Sequence, residues 1–130
     1  MRFGYTVIFV PDVAATVAFY EAAFGLERAM VAKNFGMMKT GDTVLAFGAE
    51  ENEHRELPEG FVFHENRPGH AAAGVQVSFL SDDVEAAFAR AVAAGAVPVV
   101  TPKRMPWRQT ISRVRDCNGV LVSIVTPPAF

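Results

Sequence analysis

The sequence predicts an α+β fold: two βαβββ modules whose strands form a curved mixed sheet around a concave cup, in one domain of 130 residues. Three observations carry that expectation. An aromatic and β-branched opening run stops at Pro11-Asp12 and passes into an apolar stripe of helical spacing. The same order returns 70 residues later, with Val7 falling on Val77, Phe9 on Phe79, Asp12 on Asp82, Ala23 on Ala93 and Gly25 on Gly95. Those positions are the strand core, the helix cap and the helix stop, the points that set a backbone path. Each helix is then followed by three further strand-like segments.

Residues 3–10 (Phe-Gly-Tyr-Thr-Val-Ile-Phe-Val) form the first strand, and Pro11, with no amide proton for a ladder, ends it. Asp12 sits where a helix N-cap belongs, and Val13, Val17, Tyr20 and Phe24 make one face of about three turns. Gly25 follows as the left-handed stop. Strands are expected over 28–33, 35–40 and 43–48, the last two joined by a Gly41-Asp42 turn. The first module thus occupies 1–49. Residues 50–73, with their charges, two prolines and glycines, read as a long surface connection, in which Phe61-Val62-Phe63 is a short strand or a flap. The second module occupies 74–130: a strand over 75–80, Asp82 as cap, and the helical stripe Val84, Phe88, Ala91 and Val92 up to Gly95. Strands over 97–103, 109–115 and 120–125 complete it, the last two joined at Asp116-Cys117-Asn118-Gly119. Alternation puts Thr6, Ile8 and Val10 under the first helix and Tyr5, Val7 and Phe9 on the other face. Likewise Val75, Val77 and Phe79 lie under the second helix, and Gln76, Ser78 and Leu80 face away.

Composition narrows the function. With 51% hydrophobic and 20% charged residues the chain has ample core and is not disordered. A net charge of −2 and a pI near 5.9 lack the basic stripe of a nucleic-acid binder. One cysteine, Cys117, rules out a disulfide framework or a cysteine-rich zinc site, and an unpaired thiol suits a reducing compartment. Neither a signal-peptide pattern nor an apolar run of the ~20 residues a bilayer requires is visible. The expectation is a cytoplasmic chain with neither membrane nor nucleic acid as partner.

The order Val10-Pro11-Asp12-Val13, Phe19-Tyr20-Glu21 and Phe24-Gly25-Leu26, then Ser81-Asp82-Asp83-Val84 with Ala94-Gly95, and finally Pro106-Trp107 and Arg115-Asp116-Cys117-Asn118-Gly119, resembles the vicinal oxygen chelate superfamily over nearly the whole chain. That superfamily includes glyoxalase I, ring-cleaving extradiol dioxygenases and bleomycin resistance proteins. The resemblance implies the fold and says little about the reaction. It places the four metal-ligand positions of the superfamily's metal enzymes at Tyr5, Ala46, Gln76 and Ser123. Ala46 has no donor atom, and the Ser123 hydroxyl is a poor ligand where carboxylate or imidazole is needed. No metal and no cofactor are therefore expected. His54, His64 and His70 all fall in the connection, where solvated side chains are the plain reading and a zinc cluster with Glu53 and Glu65 the sharper one. No nucleophile–base set or phosphate loop stands out, so no catalytic residue is assigned; Cys117, in place of the superfamily's usual proline, reads as incidental.

What remains is a cup of aromatic and hydrogen-bonding groups: Tyr5, Phe9, Met38, Gln76, Trp107, Arg108 and Ser123 are the expected ligand-binding residues. Trp107 resembles the superfamily's rim aromatic and would stack on a flat ligand, or else simply cover the barrel end. Arg104, Arg108 and Arg113 are solvated surface charges or hold an anionic group. Met37, Met38 and Met105 fill core or form an adaptable wall. The leading expectation is a metal-free protein of the bleomycin-resistance type that sequesters a small planar aromatic compound. The alternative is a glyoxalase-type lyase or isomerase, metal-free or with an unusual metal set using Tyr5, Gln76 and a loop histidine. The resemblance also implies a homodimer, the 50–73 connection permitting exchange of modules.

Overall fold

Pro11 ends the opening strand and the Asp12 carboxylate turns the chain into a helix by accepting the Ala15 amide proton (3.0 Å). The computed structural model describes residues 1–51 and 57–128. The elements run β1 (Tyr5–Val10), α1 (Val13–Phe24), β2 (Glu27–Val31), β3 (Phe35–Thr40) and β4 (Thr43–Ala49), then β5 (Gln76–Leu80), α2 (Val84–Ala93), β6 (Val97–Arg104), β7 (Thr110–Arg115) and β8 (Leu121–Val125). They form two four-stranded sheets of matching order, β1-β4-β3-β2 and β5-β8-β7-β6. The first and last strands of each module pair parallel and the rest antiparallel. The two βαβββ modules are thus present as the repeat implies.

Each helix covers one face of its own sheet. Val13, Val17 and Tyr20 of α1 bury against Val10, Met38, Leu45 and Phe47. β3 comes so close to α1 that a Cβ on Gly36 would meet the Val13 and Val17 methyl groups at 3.0 Å, which explains the glycine there. In the second module Val84 and Ala91 of α2 pack on Val114, Val122 and Ile124. The N-cap of α2 is Asp83, whose carboxylate accepts from Ala86 N (3.1 Å), and not Asp82. The connector Ser81-Asp82-Asp83 is one residue longer than Pro11-Asp12, so the 70-residue register slips to 71 at the helix start.

The modules join through α1. Phe24 meets Phe79 at 5.1 Å between ring centroids, and Arg90 donates to the carbonyls of Ala22 (3.0 Å) and Glu21 (3.3 Å) at the C-terminal end of α1. Tyr20, fully buried, donates its hydroxyl to Asp116 Oδ2 at 2.5 Å. Asp116 Oδ1 accepts from the amides of Asn118 (2.8 Å) and Val120 (2.9 Å), and Asn118 Nδ2 donates to Thr16 Oγ1 (3.0 Å). The β7–β8 turn is therefore tied to α1 by a buried network with every member partnered. Burial raises the Asp116 carboxyl above its ordinary range, against the opposing pull of the bonds it accepts.

The connection holds no helix or strand among its described residues, and Phe61–Phe63 is not a strand. It is nevertheless pinned. Phe63 stacks on Phe9 (5.0 Å, 25° between rings) and Asn66 donates to the Phe9 carbonyl (3.0 Å). Arg67 pairs with the buried Glu50 and with Glu65, while Arg115 donates to the carbonyls of Arg67 (3.3 Å), Pro68 (3.1 Å) and His70 (2.6 Å). A Cβ on Gly119 would strike the Arg67 carbonyl at 2.5 Å. Glu50 and Arg67, which fall in the expected surface connection, are thus structural.

Candidate functional site

Period-two alternation decides which side chains reach the open face of the second sheet. On β7, Ser112 and Val114 are buried toward α2, so Ile111, Arg113 and Arg115 face the other way. Register places Ser78, Ser123 and Arg113 opposite one another across β5, β8 and β7. Ser123 Oγ donates to Ser78 Oγ at 2.6 Å, Gln76 Nε2 donates to the same Ser78 Oγ at 3.3 Å, and Arg113 Nε donates to Gln76 Oε1 at 3.1 Å. The result is a continuous polar row.

The turn between β6 and β7 closes one end. Arg108 N donates to the Met105 carbonyl (3.0 Å) and Arg108 itself takes a left-handed φ of 67°. Trp107 is 57% exposed, with its indole N–H donating to Gln109 Oε1 (3.0 Å); Gln109 Nε2 in turn holds the Thr126 carbonyl (2.9 Å). Row and turn enclose a cavity of about 340 Å³, whose remaining walls are Met105, Ile111 and Val125. Its lining includes no Asp, Glu, His or Cys. A larger hollow of about 770 Å³ runs along the β1 and β5 edges and shares Gln76 and Ser78 with it. That hollow is lined mainly by apolar groups such as Ile8, Phe24, Leu45 and Phe79. The smaller one is the candidate because convergent polar groups, a cation and an aromatic plane meet there.

Of the expected binding residues, the structure brings Gln76, Trp107 and Ser123 to one cavity and not the other four. Met38 is a correction: it pairs with Leu45 on the helix face of β3 and is fully buried under α1. Its neighbour Met37, by alternation, takes the open face. Arg108 is exposed on the turn and outside the lining, because consecutive residues of a tight turn diverge. Tyr5, 60% exposed beside Val44, and Phe9, under Phe63, lie on the open face of the first sheet and do not reach the cavity. Arg113, the cavity's cation, is the residue sequence reasoning underweighted in favour of Arg108.

The sequence pattern of the Glyoxalase/Bleomycin resistance protein/Dioxygenase superfamily matches residues 2–124. The chain belongs to this superfamily. Solved structures agree on the fold. A glyoxalase-related enzyme from Fulvimarina pelagi superposes with a TM-score of 0.76 at 20% identity, over 98% of this chain and 88% of that one. TioX from Micromonospora sp. ML1 gives 0.70 at 21%, over 97% and 98%. Lactoylglutathione lyase from Agrobacterium tumefaciens gives 0.69 at 22%, over 96% and 92%. No curated protein matches the chain.

The superfamily's metal enzymes would place an ion at Tyr5, Ala46, Gln76 and Ser123, and these residues do not fit one. Ala46 offers no donor atom and is fully buried, the Ser123 hydroxyl is engaged with Ser78, and Tyr5 lies outside the cavity that holds Gln76 and Ser123. Among the described residues no three His, Cys, Asp or Glu side chains are grouped to hold a metal. His64 and His70 are exposed on the connection, and the Glu53–His54 pair lies outside the described residues. No helix among the described residues is long and apolar enough to cross a membrane.

Proposed function

We propose that this superfamily member is a metal-free small-molecule binding protein of the bleomycin-resistance type, seating a small planar aromatic ligand on the open face of its second sheet. One observation carries the reading. The cavity combines an exposed indole plane, a hydrogen-bonding row and a guanidinium, yet its lining has no group that titrates near neutral pH. General acid–base chemistry needs such a group within reach of the reacting atom. The nearest thiol chemistry is no better supplied, since burial and the neighbouring Asp116 push Cys117 up to about 11. The protein would hold its ligand and leave it unchanged, working in the cytoplasm, where the lone thiol needs no partner.

The partner we expect is a second copy. Phe3 (73% exposed), Tyr5 and Leu80 (61%) present apolar surface at or beside the edge strands β1 and β5, which a second copy would cover. The first sheet's open face would supply a wall to the other copy's cavity. Light scattering should give twice the 14.1 kDa chain mass; a monomer at micromolar concentration would contradict the pairing. The binding reading is tested on protein purified without chelator by elemental analysis and by calorimetric titration with naphthamide and naphthoate. The expected result is saturable binding of one probe per chain, with no stoichiometric metal and the probe recovered intact by mass spectrometry. A stoichiometric transition metal together with formation of lactoylglutathione would replace this reading with the glyoxalase-type lyase.

A further inference from the structure

We infer that the ligand of the second-sheet cavity is an anion, an aromatic carboxylate whose oxygens bridge the Arg113 guanidinium and a serine hydroxyl while its ring lies toward Trp107 and Met105. The inference rests on the binding reading above and adds the ligand's chemical class. It comes from counting donors against acceptors in the row. Ser78 Oγ accepts twice, from Ser123 and from Gln76 Nε2. The Gln76 amide is oriented by Arg113, whose Nε donates to its oxygen, so the nitrogen end must be the one facing Ser78. Whichever serine donates to the other, one of the two hydroxyl protons then has no acceptor in the chain. Arg113 spends only Nε, and among the described residues no carboxylate pairs with it: the ion pairs are Arg28–Glu21, Lys39–Glu27 and Arg67 with Glu50 and Glu65.

The remaining polar atoms of the rim do not offset this. The Trp107 N–H is taken by Gln109, and the Gln109 amide is taken by the Thr126 carbonyl. What the cavity offers a ligand is therefore donors in surplus, two guanidinium nitrogens and a hydroxyl, on one positive charge without an acid to neutralise it. A group with acceptors only, planar and negatively charged, satisfies all of them at once. A neutral amide would bring two more donors to a site already short of acceptors. A half-buried guanidinium also keeps much of its attraction for an anion, where a fully exposed one would be screened.

The test compares naphthoate with naphthamide, alike in ring and differing in the charged group, by calorimetry on the wild-type chain and on Arg113→Gln and Arg113→Lys. The acid should bind the wild type about tenfold more tightly than the amide, the discrimination expected of one charge-assisted contact. Added salt should weaken the acid and spare the amide. Arg113→Gln should remove the preference, bringing the acid's affinity down to that of the amide, while an unchanged far-UV spectrum and thermal melt show that the variant is folded; Arg113→Lys should restore part of the preference. Equal binding of both probes to the wild type would overturn the anion assignment and leave the binding function standing. A preference that survives in Arg113→Gln would overturn the role of Arg113. Binding of neither probe would overturn the binding reading itself, and this inference with it.

Discussion

At Cys117 one half-buried thiol makes the fold's alkaline limit calculable. The unfolded thiol ionises near 9.0, and burial, reinforced by the adjacent Asp116 carboxylate, moves the folded one to about 11. A raised folded value means the contribution is fully present below 9 and is lost as pH rises through 11, because the unfolded chain releases its proton first. Two pH units would correspond to about 2–3 kcal/mol for a fully buried thiol, and solvent screening at this half-buried one cuts that to about 1 kcal/mol. Urea melts below and above this window should show that loss in the wild type and a much smaller one in Cys117→Ser, which keeps a hydroxyl but no titration there; equal losses would mean the thiol is not the cause. The Tyr20 phenol, also raised by burial and by Asp116, extends the decline to higher pH in both proteins. The residue scale also shows where sequence reasoning stops. The turn that carries Asp116 follows from its motif, but the burial of Asp116 and its contact with Tyr20, 96 residues away, are tertiary and leave no local pattern. Arg113 was legible in principle: the alternation Ile111, Arg113, Arg115 against Ser112, Val114 marks it as facing the open side. Proximity in sequence to Trp107 favours Arg108 instead, and chain neighbours in a tight turn do not share a pocket.

Among the elements, periodicity and turn chemistry were enough to locate every helix and strand to within one or two residues, since each is a local signal backed by burial. The one that misleads is the start of α2. Both Asp82 and Asp83 are chemically able to cap, and the repeat points to Asp82, yet the bond to Ala86 N comes from Asp83. Asp83→Ala should therefore destabilise the fold by about 1 kcal/mol, as cap removal generally does, and Asp82→Ala by no more than a few tenths. The reverse order in thermal or urea melts would place the cap where the repeat has it. Met38 belongs to the same scale. Two adjacent methionines on one strand must face opposite ways, and composition cannot say which; pairing with Leu45, itself under α1, settles it. Phe61–Phe63 has strand-like residues but no neighbouring strand to pair with, and Phe63 gains more by stacking on Phe9.

For the whole molecule, duplication of one module gives two open faces of unlike chemistry. The first is largely apolar and partly covered by the connection, through Phe63 on Phe9; the second carries the polar row and Trp107. The sequence shows both modules but not how they join, because the joint consists of contacts such as Phe24–Phe79 and Arg90 on the end of α1, none of which is periodic. Within one chain Tyr5 and Phe9 stay on the first sheet's open face and do not line the cavity with Gln76 and Ser123. The central claim is that the second sheet's open face takes a small aromatic ligand, and the chain's single tryptophan makes it directly observable. In a nitrogen-15 NMR titration with naphthoate, and separately with naphthamide, the Trp107 indole and the amides of Gln76, Ser78 and Ser123 should shift together and saturate, while those of α1, on the far side of the first sheet, remain still. Saturable shifts confined to other strands, or no shift with either probe, would contradict it.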